Sequence, residues 1–173
     1  MSQNFENVDR FVAGTVGQPG ERQFFLQIRS GKRLITASLE KAQVQALAER
    51  IDILLKQIAK EDFSISNIKI SIDDQPLEQP IENDFSIGAI SIAWESEIKV
   101  VVVEFYAIND VDSTLGEDDE EPEITFALTV AQAKSFVSRS NAVVGAGRLP
   151  CPFCGIPIDP RGHLCPRANG YRR

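Results

Sequence analysis

The stretch FFLQIRSGKRLITASLEKAQVQALAERIDILLKQIAK, residues 24–60, decides the fold. Its first half reads as a hairpin: Phe24 to Arg29 and Lys32 to Ala37 are largely apolar and flank Ser30-Gly31, a two-residue turn signal. The second half changes period. From Ser38, a capping residue, Val44, Leu47, Ile51, Leu54, Leu55 and Ile58 recur at three- and four-residue spacing to about Lys60, with Glu49, Arg50, Asp52 and Lys56 between them. Upstream, Phe11 to Gly17 supplies a further short apolar strand. Strands that return on one another, followed by a helix with one apolar face, predict a βββα unit whose helix covers a sheet.

The pattern then returns. Residues 61–84, punctuated by Asp73-Asp74, Pro76 and Pro80, read as a strand-like piece from Ile65 to Ile72 and a loop. Phe85 to Trp94 and Ile98 to Ile108 form a second hairpin signal and Ile124 to Leu128 a third strand, with Trp94 and Phe105 expected to pack in the sheet. Thr129 with Gln132 is a capping-box start for a helix to about Val144, with Ala133, Phe136 and Val137 inward. At a constant offset of 89, Ile35-Thr36 matches Ile124-Thr125, Leu39 matches Leu128, Ala42-Gln43 matches Ala131-Gln132, and Arg50 matches Arg139. Phe11-x-x-Gly14-x-Val16 echoes Phe85-x-x-Gly88-x-Ile90. The expectation is one α+β domain over 1–144: an antiparallel sheet from two βββα-like halves, with both helices on one face. Antiparallel pairing follows from reading the strands as joined by hairpins.

Gly145 to Pro150 separates this body from a second module, 145–173, where the chemistry concentrates. The chain has three cysteines and one histidine, and all four fall in fifteen residues: Cys151, Cys154, His163 and Cys165. Cys-x-x-Cys is a knuckle whose thiolates can converge on one ion. Asp159-Pro160-Arg161-Gly162 has turn chemistry that brings His163 and Cys165 back to face it. Three thiolates and an imidazole make a closed tetrahedral set suited to one structural Zn2+ in a zinc-ribbon-like module. The His-x-Cys spacing is tighter than the usual second pair. A disulfide would leave one cysteine over and needs an oxidising compartment. Redox-active thiols and a catalytic zinc are the remaining readings, the latter disfavoured because four protein ligands leave no position for water.

Charge divides the same way. The net charge is −7, yet residues 148–173 hold five arginines against Asp159, a net of +4, which leaves −11 on the rest. An acidic body repels nucleic acid and anionic membranes. Arg161, Arg167, Arg172 and Arg173, with Tyr171, are therefore candidate contacts for the acidic body, a partner or an anion, and Asn169-Gly170 favours a turn that folds the tail back. A calcium loop beginning at Asp110 would need Gly at its sixth position, where Leu115 stands, so Glu117 to Glu121 reads as a solvated acidic loop. No phosphate-cradling Gly-rich loop, nucleophile elbow or carboxylate pair stands out. With His163 on metal, no histidine remains for acid-base work. The N-terminus has neither a basic nor an apolar leader region, and no apolar run nears the roughly 18 residues of a membrane helix, so a cytoplasmic, non-membrane protein is expected.

The tail pattern, Cys-Pro-Phe-Cys-Gly-x-Pro-x-Asp-Pro-x-Gly-His-x-Cys-Pro-Arg-Ala-Asn-Gly-Tyr-Arg-Arg, resembles the end of an uncharacterised actinobacterial family of unknown function. The likeness extends to Phe24-Phe25-Leu26-Gln27 and the Leu39 to Leu55 helix, and so covers nearly the whole chain. Members of that family are encoded in a trio with a histidine-phosphatase-like protein and a protein resembling phosphatidylinositol 3/4-kinases. The resemblance implies a partner in a phospho-transfer pathway and carries over no catalytic residue, only the four metal ligands. The functional expectation is a zinc-binding, non-enzymatic regulatory or adaptor protein with a kinase-like or phosphatase-like protein partner. Two other readings stay open: a nucleic-acid binder using the basic module, with Tyr171 stacking on a base, and an enzyme with a carboxylate-lined cleft.

Overall fold

A computed structural model describes residues 2–18, 20–108, 120–146 and 151–154. The order of elements is β1 (Gln3–Phe5), β2 (Arg10–Val16), β3 (Gln23–Ser30), β4 (Arg33–Leu39), α1 (Lys41–Glu61), α2 (Phe63–Ser66), β5 (Phe85–Glu95), β6 (Val100–Ala107), β7 (Ile124–Thr129) and α3 (Val130–Gly145). Two βββα units, β2-β3-β4-α1 and β5-β6-β7-α3, follow one another, and the class is α+β. Their strands form one seven-stranded sheet in the order β1-β7-β6-β5-β4-β3-β2. The sheet is mixed, which corrects the expectation of antiparallel pairing throughout. β2-β3-β4 and β5-β6-β7 are antiparallel meanders, but β4 pairs with β5, and β1 with β7, in parallel. The hairpin argument holds only for short connections. Between β4 and β5 lie α1, α2 and a long segment, enough chain to bring β5 back in the direction of β4.

The N-terminal strands close the arrangement. β1 lies on one edge and β2 on the other, and the short link from Phe5 to Arg10 spans at most about 19 Å. A flat sheet of seven strands would be about 29 Å across. The sheet must therefore curl, and Phe11 on β2 meets Phe126 on β7 at 4.9 Å and Phe105 on β6 at 6.3 Å between ring centroids. Both long helices cover the concave side. Val44, Leu47, Ile51 and Leu55 of α1 and Val130, Ala133 and Phe136 of α3 join Leu26, Ile28, Ile87, Val103, Phe105 and Phe126 in one core. Burying each such large apolar side chain contributes about 1.5–3 kcal/mol. The opposite face carries a small cluster, Val12, Phe25 and Leu77, with Ile81 against it.

Several local readings shift. The first hairpin turns at Gly31-Lys32, with Gly31 at φ 59°, because Ser30 and Arg33 form the last pair. Ser38 belongs to β4 and bonds the Ser86 hydroxyl, so the helix is capped two residues later, at Glu40. The strand expected from Ile65 to Ile72 is absent: Asp62 accepts from the Ser64 amide and starts the short α2, which buries Ile65, and residues 67–84 adopt no regular structure. The second hairpin strand begins at Val100, after a turn in which Lys99 takes φ 53°. Phe105 is buried in the sheet and Trp94 half-buried against the core. The capping box at Thr129 forms: its hydroxyl accepts from the Gln132 amide, and Gln132 Oε1 accepts from the Thr129 amide. Among the described residues no helix is long and apolar enough to cross a membrane. Most of the acidic loop, 109–119, lies outside the described residues.

Candidate metal centre

After α3 ends, with the Ala146 amide on the Ala142 carbonyl, the described tail consists of Cys151-Pro152-Phe153-Cys154. Proline presets φ for the second position of a turn, and 152–154 do turn. Such a turn holds its first and fourth Cα within about 7 Å, so both thiols leave the chain from one small patch. Cys151 is buried at 6% exposure, Cys154 is half-buried, and Phe153 between them is exposed. His163 and Cys165 lie outside the described residues, as do Arg161, Arg167, Tyr171, Arg172 and Arg173. Among the described residues no three His, Cys, Asp or Glu side chains stand together as a metal-binding group. The described half fits a thiophilic ion: two thiols at knuckle spacing on a turn, one of them withdrawn from water.

A charged cluster that sequence reasoning missed lies on the body. Arg139, in α3, is 9% exposed. Its Nε donates to the Ala13 carbonyl at 2.8 Å, and its Nη1 to the carbonyls of Asp73 at 2.7 Å and Gln75 at 2.6 Å. The Asp73 carboxylate sits between two guanidiniums, bidentate with Arg10 and 3.2 Å from Arg139 Nη1. Next to it Arg29 holds the Glu78 carboxylate in the same way. The hydrogen bond from Arg10 keeps the Asp73 carboxyl below its usual range, and the same contact raises Arg10. Arg139 moves the other way: burial lowers it, because it lies deeper and spends its donors mainly on neutral carbonyls. One signal was available. Arg139 falls three positions after Phe136, on the inward stripe of its helix.

The same geometry bears on carboxylate chemistry. Asp9 and Asp73 line one cavity of about 290 Å3. Asp73 is held ionised by arginine, and Asp9 accepts the Gly31 amide at 2.6 Å. Both carboxylates fasten loops in this arrangement.

Fold and tail together define the class: an α+β protein of two consecutive βββα units with a C-terminal Cys-x-x-Cys turn. The chain belongs to the DUF3090 family of proteins of unknown function, whose sequence profile matches residues 3–165. That span takes in both units and ends on Cys165, the last of the four metal-ligand candidates. No curated protein and no solved structure matches the chain.

Proposed function

We propose that this protein is a zinc-dependent regulatory or adaptor protein, acting in the cytoplasm through protein partners in a phospho-transfer-linked pathway and not through chemistry of its own. The observation that carries the reading is the turn that joins buried Cys151 to Cys154, in the tail that also holds the chain's third cysteine and its one histidine. Cys151, Cys154, His163 and Cys165 would hold the ion. A bound zinc would supply much of the folding free energy, on the order of 10 kcal/mol, to a tail too poor in apolar residues to order itself by burial. Four protein ligands leave no open position for substrate, so the role is to present the arginine-rich end. Thiolates at that site suit a reducing compartment. The resemblance to a family encoded beside a kinase-like and a phosphatase-like protein supports the choice of partner.

Affinity purification of the full chain from its native host tests this. The kinase-like or phosphatase-like neighbour should co-purify with the wild type and be lost from a His163→Ala, Cys165→Ser variant. Capture unaffected by that variant would sink the zinc-dependent reading. Heparin retention that falls steeply with salt would instead assign the module to nucleic acid.

A further inference from the structure

Each long helix lies beside the first strand of the other unit, and the two grooves are unlike. Between α3 and β2, the chain's own segment 73–77 occupies the Arg139 end of the groove, beside the cavity that Asp9 and Asp73 line. Asp73 lies between Arg10 and Arg139, two backbone carbonyls sit on Arg139, and the segment then rounds the edge of β2 to lay Leu77 on Gly14. The fit there is close: a Cβ on Gly14 would stand 2.4 Å from Leu77 Cγ. Between α1 and β5, Arg50 takes the position of Arg139, and the strand registers give Ala93 that of Gly14. Here no described segment fills the place. Arg50 and Ala93 are both exposed, and Arg50 makes no hydrogen bond or ion pair among the described residues. A cavity of about 210 Å3 remains, walled by Ala46, Leu47 and Arg50 and floored by Gly88, Ile90 and Ile92. The strand beside it is open as well. β5 pairs with β4 only through Phe85 and Ser86, so from Ala89 to Glu95 its edge away from β6 has no strand partner among the described residues.

We propose that the groove between α1 and β5 is a docking site for an extended, acidic segment of a protein partner, added along the open edge of β5 with a carboxylate on Arg50 and apolar side chains on Ile90 and Ile92. Three features choose this occupant. Every second residue of an edge strand turns its N–H and C=O outward, and an extended chain satisfies them. An exposed edge is otherwise covered in folded proteins. Arg50 is an exposed cation with no ion-pair partner among the described residues, so it offers an acidic segment a local counter-charge and bidentate geometry. Segment 73–77 shows on the equivalent groove how such a chain is held. The inference deepens the partner-binding half of the proposed function and rests on that half alone; the metal plays no part.

Panning a phage-displayed library of random dodecapeptides on the full-length protein provides the probe. Enriched sequences should alternate apolar and acidic residues. A synthetic peptide of the enriched sequence should bind Arg50→Glu roughly tenfold or more weakly than the wild type in fluorescence anisotropy. Exchanging the peptide's acidic residue for lysine should restore binding to Arg50→Glu. Ile92→Lys should block both peptides, with circular dichroism and melting showing that either variant is folded. No enriched sequence, or equal binding by Arg50→Glu, overturns the proposal. A dimer in light scattering that Ile92→Lys dissociates also overturns it, by giving the edge to a second copy of the chain. Peptide binding that persists while neighbour capture fails sinks the adaptor reading alone; the reverse sinks only the groove.

Discussion

Gln43 and Gln132, 89 positions apart, do the same two things. Each amide oxygen accepts the backbone N–H of its helix cap, Glu40 at 2.8 Å and Thr129 at 2.9 Å. Each amide nitrogen then reaches into the other unit: Gln43 donates to the carbonyls of Ile87 and Gly88, both at 3.1 Å, and Gln132 to that of Val8 at 2.6 Å. One side chain thus starts a helix and stitches that helix to the neighbouring unit.

Replacing either glutamine by alanine removes a cap bond and an inter-unit bond together. Each variant should lose about 1–2 kcal/mol in urea unfolding. The sites share no partner, so the double variant should lose close to the sum. A double variant no less stable than the worse single one would show that the stitches are not independent.

Arg139 and Arg50 are the matched pair with opposite expectations. Arg139→Ala leaves the carbonyls of Ala13, Asp73 and Gln75 short of a donor and Asp73 short of a counter-charge, a loss of about 3–5 kcal/mol. Arg50→Ala, at an exposed site with no bond to break among the described residues, should stay within about 0.5 kcal/mol of wild type. Midpoints of urea denaturation at unchanged slope are the measurement.

Much of this body was legible beforehand, and what escaped has a common cause. The hairpins, both long helices and the box at Thr129 are written locally, in period and in cap chemistry. The offset that pairs Gln43 with Gln132 aligns the helix starts, Lys41 and Val130. The parallel contact of β4 with β5, and the pairing of three-residue β1 with β7, are non-local, and no periodicity encodes them. Residues 65–72 form no strand because their alternation buries only Ile65, whereas the loop expected after them, with Asp73-Asp74, Pro76 and Pro80, is irregular as read. Of the metal-ligand candidates, Cys151 and Cys154 stand at the two ends of a turn, and His163 and Cys165 lie outside the described residues.

Acid should weaken the protein through its loop carboxylates. Hydrogen bonds from Ser64, then Lys99, hold Asp62 at about 2, and Arg10 and Arg29 hold Asp73 and Glu78 below their usual values. Folded-state values below unfolded ones mean that this stabilisation is complete above about pH 5 and is lost as pH falls toward 2. Melting temperature followed from pH 7 to pH 2 should drop across that window. Asp73→Asn should start lower at neutral pH and fall less. An Asp73→Asn profile parallel to wild type would show that this carboxylate does not titrate in the window.

Zinc stoichiometry of the untagged protein by native mass spectrometry tests the central claim most directly. One zinc per chain is expected, retained through buffer exchange, absent from a Cys154→Ser, His163→Ala double variant, and lost from the wild type in acid as the thiolates protonate. No bound metal in the wild type, or a metal that survives in the double variant, would contradict the account.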